Sequence, residues 1–87
     1  MQMICHLEVT AFDAWKTAFD ADDEARRDAG LGVLQIWQEA DNTAHAFVLL
    51  SVNDRDRAEK WIDRSNALRS DDGATVTSAS YHFVKTA

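Results

Sequence analysis

Proline is absent from the 87 residues, glycine occurs three times and cysteine once. Without proline, every break between helices and strands must rest on glycine or on Asn and Asp turn chemistry. The single cysteine, Cys5, rules out an intrachain disulfide and any zinc site built from several thiolates. Basic residues are scarce, 9 against 15 acidic ones, for a formal charge of −6. Nucleic acid and anionic membrane both require a basic footprint, so neither is expected as a partner. No apolar run approaches the roughly 18 residues of a membrane span, and the N-terminus has no basic n-region. A cytoplasmic location is the resulting expectation. There is also no glycine-rich phosphate loop, P-loop or nucleophile elbow, which leaves nucleotide and serine-hydrolase chemistry unsupported.

What is present suits one soluble domain over residues 1–87, with 46% hydrophobic and 28% charged residues, ordinary globular proportions. A chain this short buries only about 60% of its unfolded surface, which favours oligomerisation. The stretch from Met3 to Phe19 organises the rest. Met3, Cys5, Leu7 and Val9 alternate as the apolar face of a strand, while Ile4, His6 and Glu8 make a mixed opposite face. A helix is expected from near Thr10, its cap, with Asp13 in the acidic position of a capping box. Phe12, Trp15, Ala18 and Phe19 form its inward stripe. The polar run DADDEARRDAG reads as a solvated continuation that Gly30 terminates.

A second strand is expected over Val33–Glu39, with Leu34 and Ile36 on one face and Val33, Gln35 and Trp37 on the other. The turn 40–43 leads into a third strand, Ala44–Val52, completing an antiparallel hairpin. Asn53 or Asp54 can cap a second helix with Ala58, Trp61, Ile62 and Leu68 inward, fraying through Ser65 and Asn66 and ending before Asp71-Asp72-Gly73. The last strand, about 75–85, sets Tyr81 and Phe83 against Ser78, Ser80, His82 and Val84.

Strand, helix, strand thus occurs twice. The fold expected is α+β, a ferredoxin-like split βαββαβ arrangement: a four-stranded antiparallel sheet with two helices on one face. Cys5, Leu7, Val9, Leu34, Ile36, Val48, Leu50, Tyr81 and Phe83 would face the helices. The other face would carry Ile4, His6, Glu8, Val33, Gln35, Trp37, Phe47, Leu49, Ser80 and His82. It is too apolar for a monomer surface, and a homodimer packed through this open face, forming a joint barrel, is the expected solution.

The run His6-Leu-Glu-Val-Thr-Ala-Phe-Asp-Ala-Trp-Lys-Thr-Ala-Phe-Asp20 resembles the opening of small proteins of the dimeric α/β-barrel superfamily. Ile36-Trp37, the Asp41-Asn42 turn, Ala46 to Leu50 and Asp54 to Ile62 fit the same pattern. The superfamily includes antibiotic-biosynthesis-type monooxygenases and polyketide cyclases. The chain departs from it at Ala11, and at Ser70 to Gly73 in place of a Gly-Val-Pro approach to the last strand. The resemblance implies a pocket between sheet and helices or inside the dimer barrel, taking a small aromatic or polyketide-like ligand. It also implies cofactor-independent oxygenation or cyclisation, with His6 and His82 moving protons.

The residues themselves offer acid–base groups on one strand face, His6 and Glu8, with His82 opposite or diagonal on the last strand. Such a set can also ligate a divalent metal, but no ligand geometry is fixed and no metal or cofactor is expected. Trp37 and Phe47 can wall a pocket for a flat ligand, with Gln35 and Ser80 beside them. His45, near the turn, is expected to be exposed. The alternative to an enzyme or binder is a non-catalytic dimer whose interior polar groups satisfy one another. Open volume beside His6 and His82 would discriminate them.

Overall fold

The computed structural model describes residues 1–68 and 74–87. Strand β1 (Gln2–Val9) leads into helices α1 (Phe12–Ala21) and α2 (Asp23–Asp28). The hairpin β2 (Leu31–Gln38) and β3 (His45–Val52) follows, then α3 (Arg55–Leu68) and β4 (Val76–Val84). The strands form one antiparallel sheet in the order β2-β3-β1-β4, the order of a ferredoxin-like split βαβ fold. Among the described residues no helix is long and apolar enough to cross a membrane.

The alternation of β1 sets the core. Met3, Cys5, Leu7 and Val9 are all buried, and their partners Leu50, Val48 and Ala46 on β3 have no exposed surface. On the other side Tyr81 and Phe83 pair with Cys5 and Met3 and pack against this core. Trp15 and Ala58 close it from α1 and α3. Antiparallel register also lays the open face out in rows. Gln35, Leu49, Ile4 and His82 form one row; Trp37, Phe47, His6 and Ser80 form the next; His45, Glu8 and Ser78 form a third.

Four local expectations are corrected. The register steps from Val33 opposite Leu50 to Gln35 opposite Leu49, leaving Leu34 as the extra residue of a bulge. A bulge resets the alternation, so Leu34, 53% exposed, is not a helix-facing core residue, and Val33 lies opposite a core residue instead of on the open face. Thr10 does not cap α1: the N-cap is Ala11, with no side-chain hydrogen bond, and the Thr10 amide donates to the Thr75 carbonyl. Helix α3 runs through Ser65 and Asn66 to Leu68, and Leu68 is exposed. The polar run is not one solvated helix; it breaks at Asp22 and buries Arg26. The expected stop at Asp71-Asp72-Gly73 lies outside the described residues.

Other punctuation follows the sequence. Gly30 takes φ +73° after α2, a left-handed conformation that costs a side chain about 1–2 kcal/mol. The Asp54 carboxylate accepts from the Arg57 amide at 3.2 Å and so caps α3. Asn42 Oδ1 accepts from the Ala44 amide at 3.1 Å and tightens the β2–β3 turn.

The bulge makes two leucines of β2 and β3 unequal. Leu50→Ala, at a fully buried position, is expected to cost about 2–5 kcal/mol. Leu34→Ala is expected to cost under about 0.5 kcal/mol. Urea titration of both variants measures the difference; equal losses would mean that Leu34 packs in the core.

Candidate functional site

Two places concentrate chemistry, one on each side of the sheet. The first is a cavity of about 360 Å³ between the sheet and the helices. Cys5, Leu7 and Val48 form its floor, Tyr81 and Val76 stand on β4, and Trp15, Phe19, Trp61 and Ser65 come from the helices. Asp22 and Arg26 are its charged lining residues, and Ala18, Leu68, Ala74 and Thr75 complete the described lining. The helix spacing explains Arg26. Trp15, Phe19, Asp22 and Arg26 recur at intervals of four, three and four, so the inward stripe of α1 continues across the break into the polar run. Asp22 ends α1 and starts α2, its amide donating to the Phe19 carbonyl and its carbonyl accepting from the Arg26 amide.

Arg26 is only 3% exposed. Its guanidinium carbon lies 3.7 Å from the Phe19 ring centroid, a cation–π arrangement. Its Nε has no hydrogen-bond partner, and the buried indole Nε1 of Trp61 has none either. Burial pushes the Arg26 guanidinium below its ordinary range, against the raising influence of Asp22, Asp23 and Asp20. It still carries its proton at neutral pH, as arginine does in proteins. Cys5, 2% exposed in the floor, is pushed up to about 12 by burial. A thiol held protonated is a poor nucleophile.

The second place is the open sheet face. The His6 ring stacks on Phe47, with centroids 4.5 Å apart and planes 5° from parallel. His6 Nε2 lies 3.1 Å from His45 Nδ1, so one of these nitrogens carries the shared proton. His45 stands between two carboxylates, with Nδ1 3.4 Å from Glu39 and Nε2 3.6 Å from Glu8. The turn places it there: the Glu39 amide donates to the His45 carbonyl and the His45 amide to the Asn42 carbonyl. The two imidazoles share a hydrogen bond and can exchange its proton, while the carboxylates stand at ion-pair distance from His45. Among the described residues no three His, Cys, Asp or Glu side chains are placed to hold a metal ion.

The sequence-based candidates separate accordingly. His6, Glu8, Gln35, Trp37, Phe47, Ser80 and His82 all share the open face by register. His82 is exposed, opposite Ile4 and therefore diagonal to His6, while the hydrogen-bond partner of His6 is His45. His45 was expected to be exposed, but only 22% of its side chain is. The sequence carried a signal for it, since residues 45, 47 and 49 alternate onto one face of β3. The cavity lies on the other side of the sheet, and of its polar groups Arg26 was assigned to solvent from composition alone. Extending the Phe12-Trp15-Phe19 stripe by two turns reaches it.

No protein-family model matches the chain, and no curated protein does either. Function therefore has to be read from this geometry.

Two measurements follow. Replacing a buried, imperfectly paired charge by an apolar side chain of similar length is often neutral or stabilising. Arg26→Met is therefore expected to leave stability unchanged or raise it by about 1 kcal/mol, and a loss above about 2 kcal/mol would make Arg26 a structural group. For Cys5, the folded value near 12 exceeds an unfolded value of about 8.5. Its contribution is complete below the unfolded value and is lost as pH rises toward 12, so stability should fall at up to about 1.4 kcal/mol per pH unit in that window. Cys5→Ala should flatten that slope in denaturation curves at pH 9 to 11; an unchanged slope would mean the thiol ionises in the folded protein.

Proposed function

We propose that this protein binds a small, largely apolar aromatic molecule in the cavity between the sheet and the helices. The observation that carries the reading is the cavity itself. Its volume, about 360 Å³, falls within the roughly 300–1,000 Å³ of small-molecule sites. It is walled by Trp15, Phe19, Trp61 and Tyr81 and holds few polar groups, the usual composition of such sites.

A second copy of the chain is the partner we infer for the open face. Trp37 and Ile4 are 46% and 36% exposed there, and Phe47 and Leu49 are only half-buried. The molecule measures 30 × 28 × 18 Å, so one broad face is comparable with the ~800 Å² that each partner buries in a standard interface. A two-fold axis through such a self-complementary patch closes the assembly, as the barrel resemblance implies. The His6–His45 pair supports a second reading, acid–base catalysis of the oxygenase or cyclase type within the closed dimer, in which His6 moves the proton and His82 lies diagonal to it.

The binding reading is tested by titrating the protein with the neutral two-ring probe 2-naphthamide while following tryptophan fluorescence in a Trp37→Phe background. Saturable binding is expected, weakened at least about tenfold (1.4 kcal/mol) by Ala18→Phe, which fills the cavity wall. Binding untouched by Ala18→Phe but lost with Phe47→Ala would move the site to the open face. Sedimentation at micromolar concentration is expected to show a dimer that Ile4→Lys dissociates; a monomer throughout would remove the partner.

A further inference from the structure

Resting on the pocket reading above, we infer that the ligand carries one carboxylate-type anionic group, received by the Arg26 Nε–H and the Trp61 Nε1–H. Both atoms are buried, both lack a partner and both side chains line the same cavity. A guanidinium and an indole N–H donate hydrogen bonds and cannot accept them. What completes them must therefore be an acceptor, and an ionised one forms the stronger bond.

The protein's own carboxylates are drawn elsewhere. Asp22 Oδ1 lies 3.5 Å from the exposed Arg64 Nη2, and Asp23 Oδ2 lies 3.2 Å from the exposed Arg27 Nε. That leaves Asp23 Oδ1 4.0 Å from Arg26 Nη2, beyond hydrogen-bond range. Surface arginines thus lie nearer to these two acids than Arg26 does. A buried N–H without an acceptor is costly, and a ligand anion removes that cost only when it binds.

The charge and shape of the group follow from the same neighbours. Asp22 in the wall, with Asp23 and Asp20 acting on the same guanidinium, disfavours added negative charge, so a monoanion suits the site better than a phosphate monoester. The guanidinium lies over the Phe19 ring, and a planar carboxylate can meet its edge in plane. The body attached to it would rest among Trp15, Phe19, Trp61 and Tyr81. The class is a planar aromatic monocarboxylic acid.

Calorimetric titration with 2-naphthoate, 2-naphthamide and 2-naphthyl phosphate tests this, using the whole protein, Arg26→Met, Arg26→Lys and Trp61→Phe. The unaltered protein is expected to bind naphthoate about 10- to 100-fold more tightly than naphthamide, and naphthyl phosphate more weakly than naphthoate. Arg26→Met should erase the preference for the acid without abolishing naphthamide binding. Trp61→Phe, which removes only the N–H donor, should reduce the preference several-fold, and Arg26→Lys should retain part of it. If naphthoate and naphthamide bind alike in every variant, the pocket stands and the anion assignment falls. Tighter binding of the phosphate overturns the monocarboxylate. If none of the probes binds, the pocket reading and the inference resting on it both fall.

Discussion

The alternation of β1 is the constraint on which the rest of the molecule depends. It pairs with β3 on one edge and β4 on the other, so its register fixes which side chains of both neighbours share its faces. Met3, Cys5, Leu7 and Val9 bring Ala46, Val48, Leu50, Tyr81 and Phe83 to the helix side. Ile4, His6 and Glu8 bring His45, Phe47, Leu49, Ser80 and His82 to the other. A slip of one residue would exchange the two faces and expose the core. With helices on one side only, a two-layer chain has one covered face and one open face, and each has acquired its own chemistry.

On the covered face the core does not close completely. The break at Asp22 turns the inward stripe from aromatic rings to a guanidinium, and the nearby carboxylates of Asp23 and Asp22 pair with the surface arginines Arg27 and Arg64. An apolar cavity with two unmatched donors is an unfavourable way to fill a small core, since desolvating an unsatisfied polar group costs about 1–3 kcal/mol. Such a cost is reasonable where a ligand supplies the missing acceptor. On the open face His6 and His45 share a hydrogen bond, and Glu8 and Glu39 stand at ion-pair distance from His45. Ligand binding therefore fits the cavity better than the imidazole cluster.

Much of the fold is legible in the residues because period-two alternation is strong in β1, β3 and β4. The Asn42 turn and Gly30 then punctuate the chain by local chemistry. The βαββαβ order and the faces of β1, β3 and β4 follow from these alone. The bulge at Leu34 is not legible: β2 reads as a smooth alternation, and the extra residue shows only against the register of β3. Thr10 has cap chemistry but lies one position too early, its amide already engaged by Thr75. Arg26 escaped notice because composition outweighed periodicity in a run so rich in aspartate and arginine. The pairing of His6 with His45 required knowing that Phe47, and not His82, stands directly opposite His6.

The most direct test of which face binds is nuclear magnetic resonance mapping of 2-naphthoate onto the uniformly ¹⁵N-labelled protein. If the cavity is the site, the Trp61 Nε1–H and Arg26 Nε–H resonances shift most on saturation, with the Leu7 and Val48 amides following. Shifts centred on His6, Trp37 and Phe47, with Trp61 and Arg26 unmoved, would contradict the cavity and return the function to the open face.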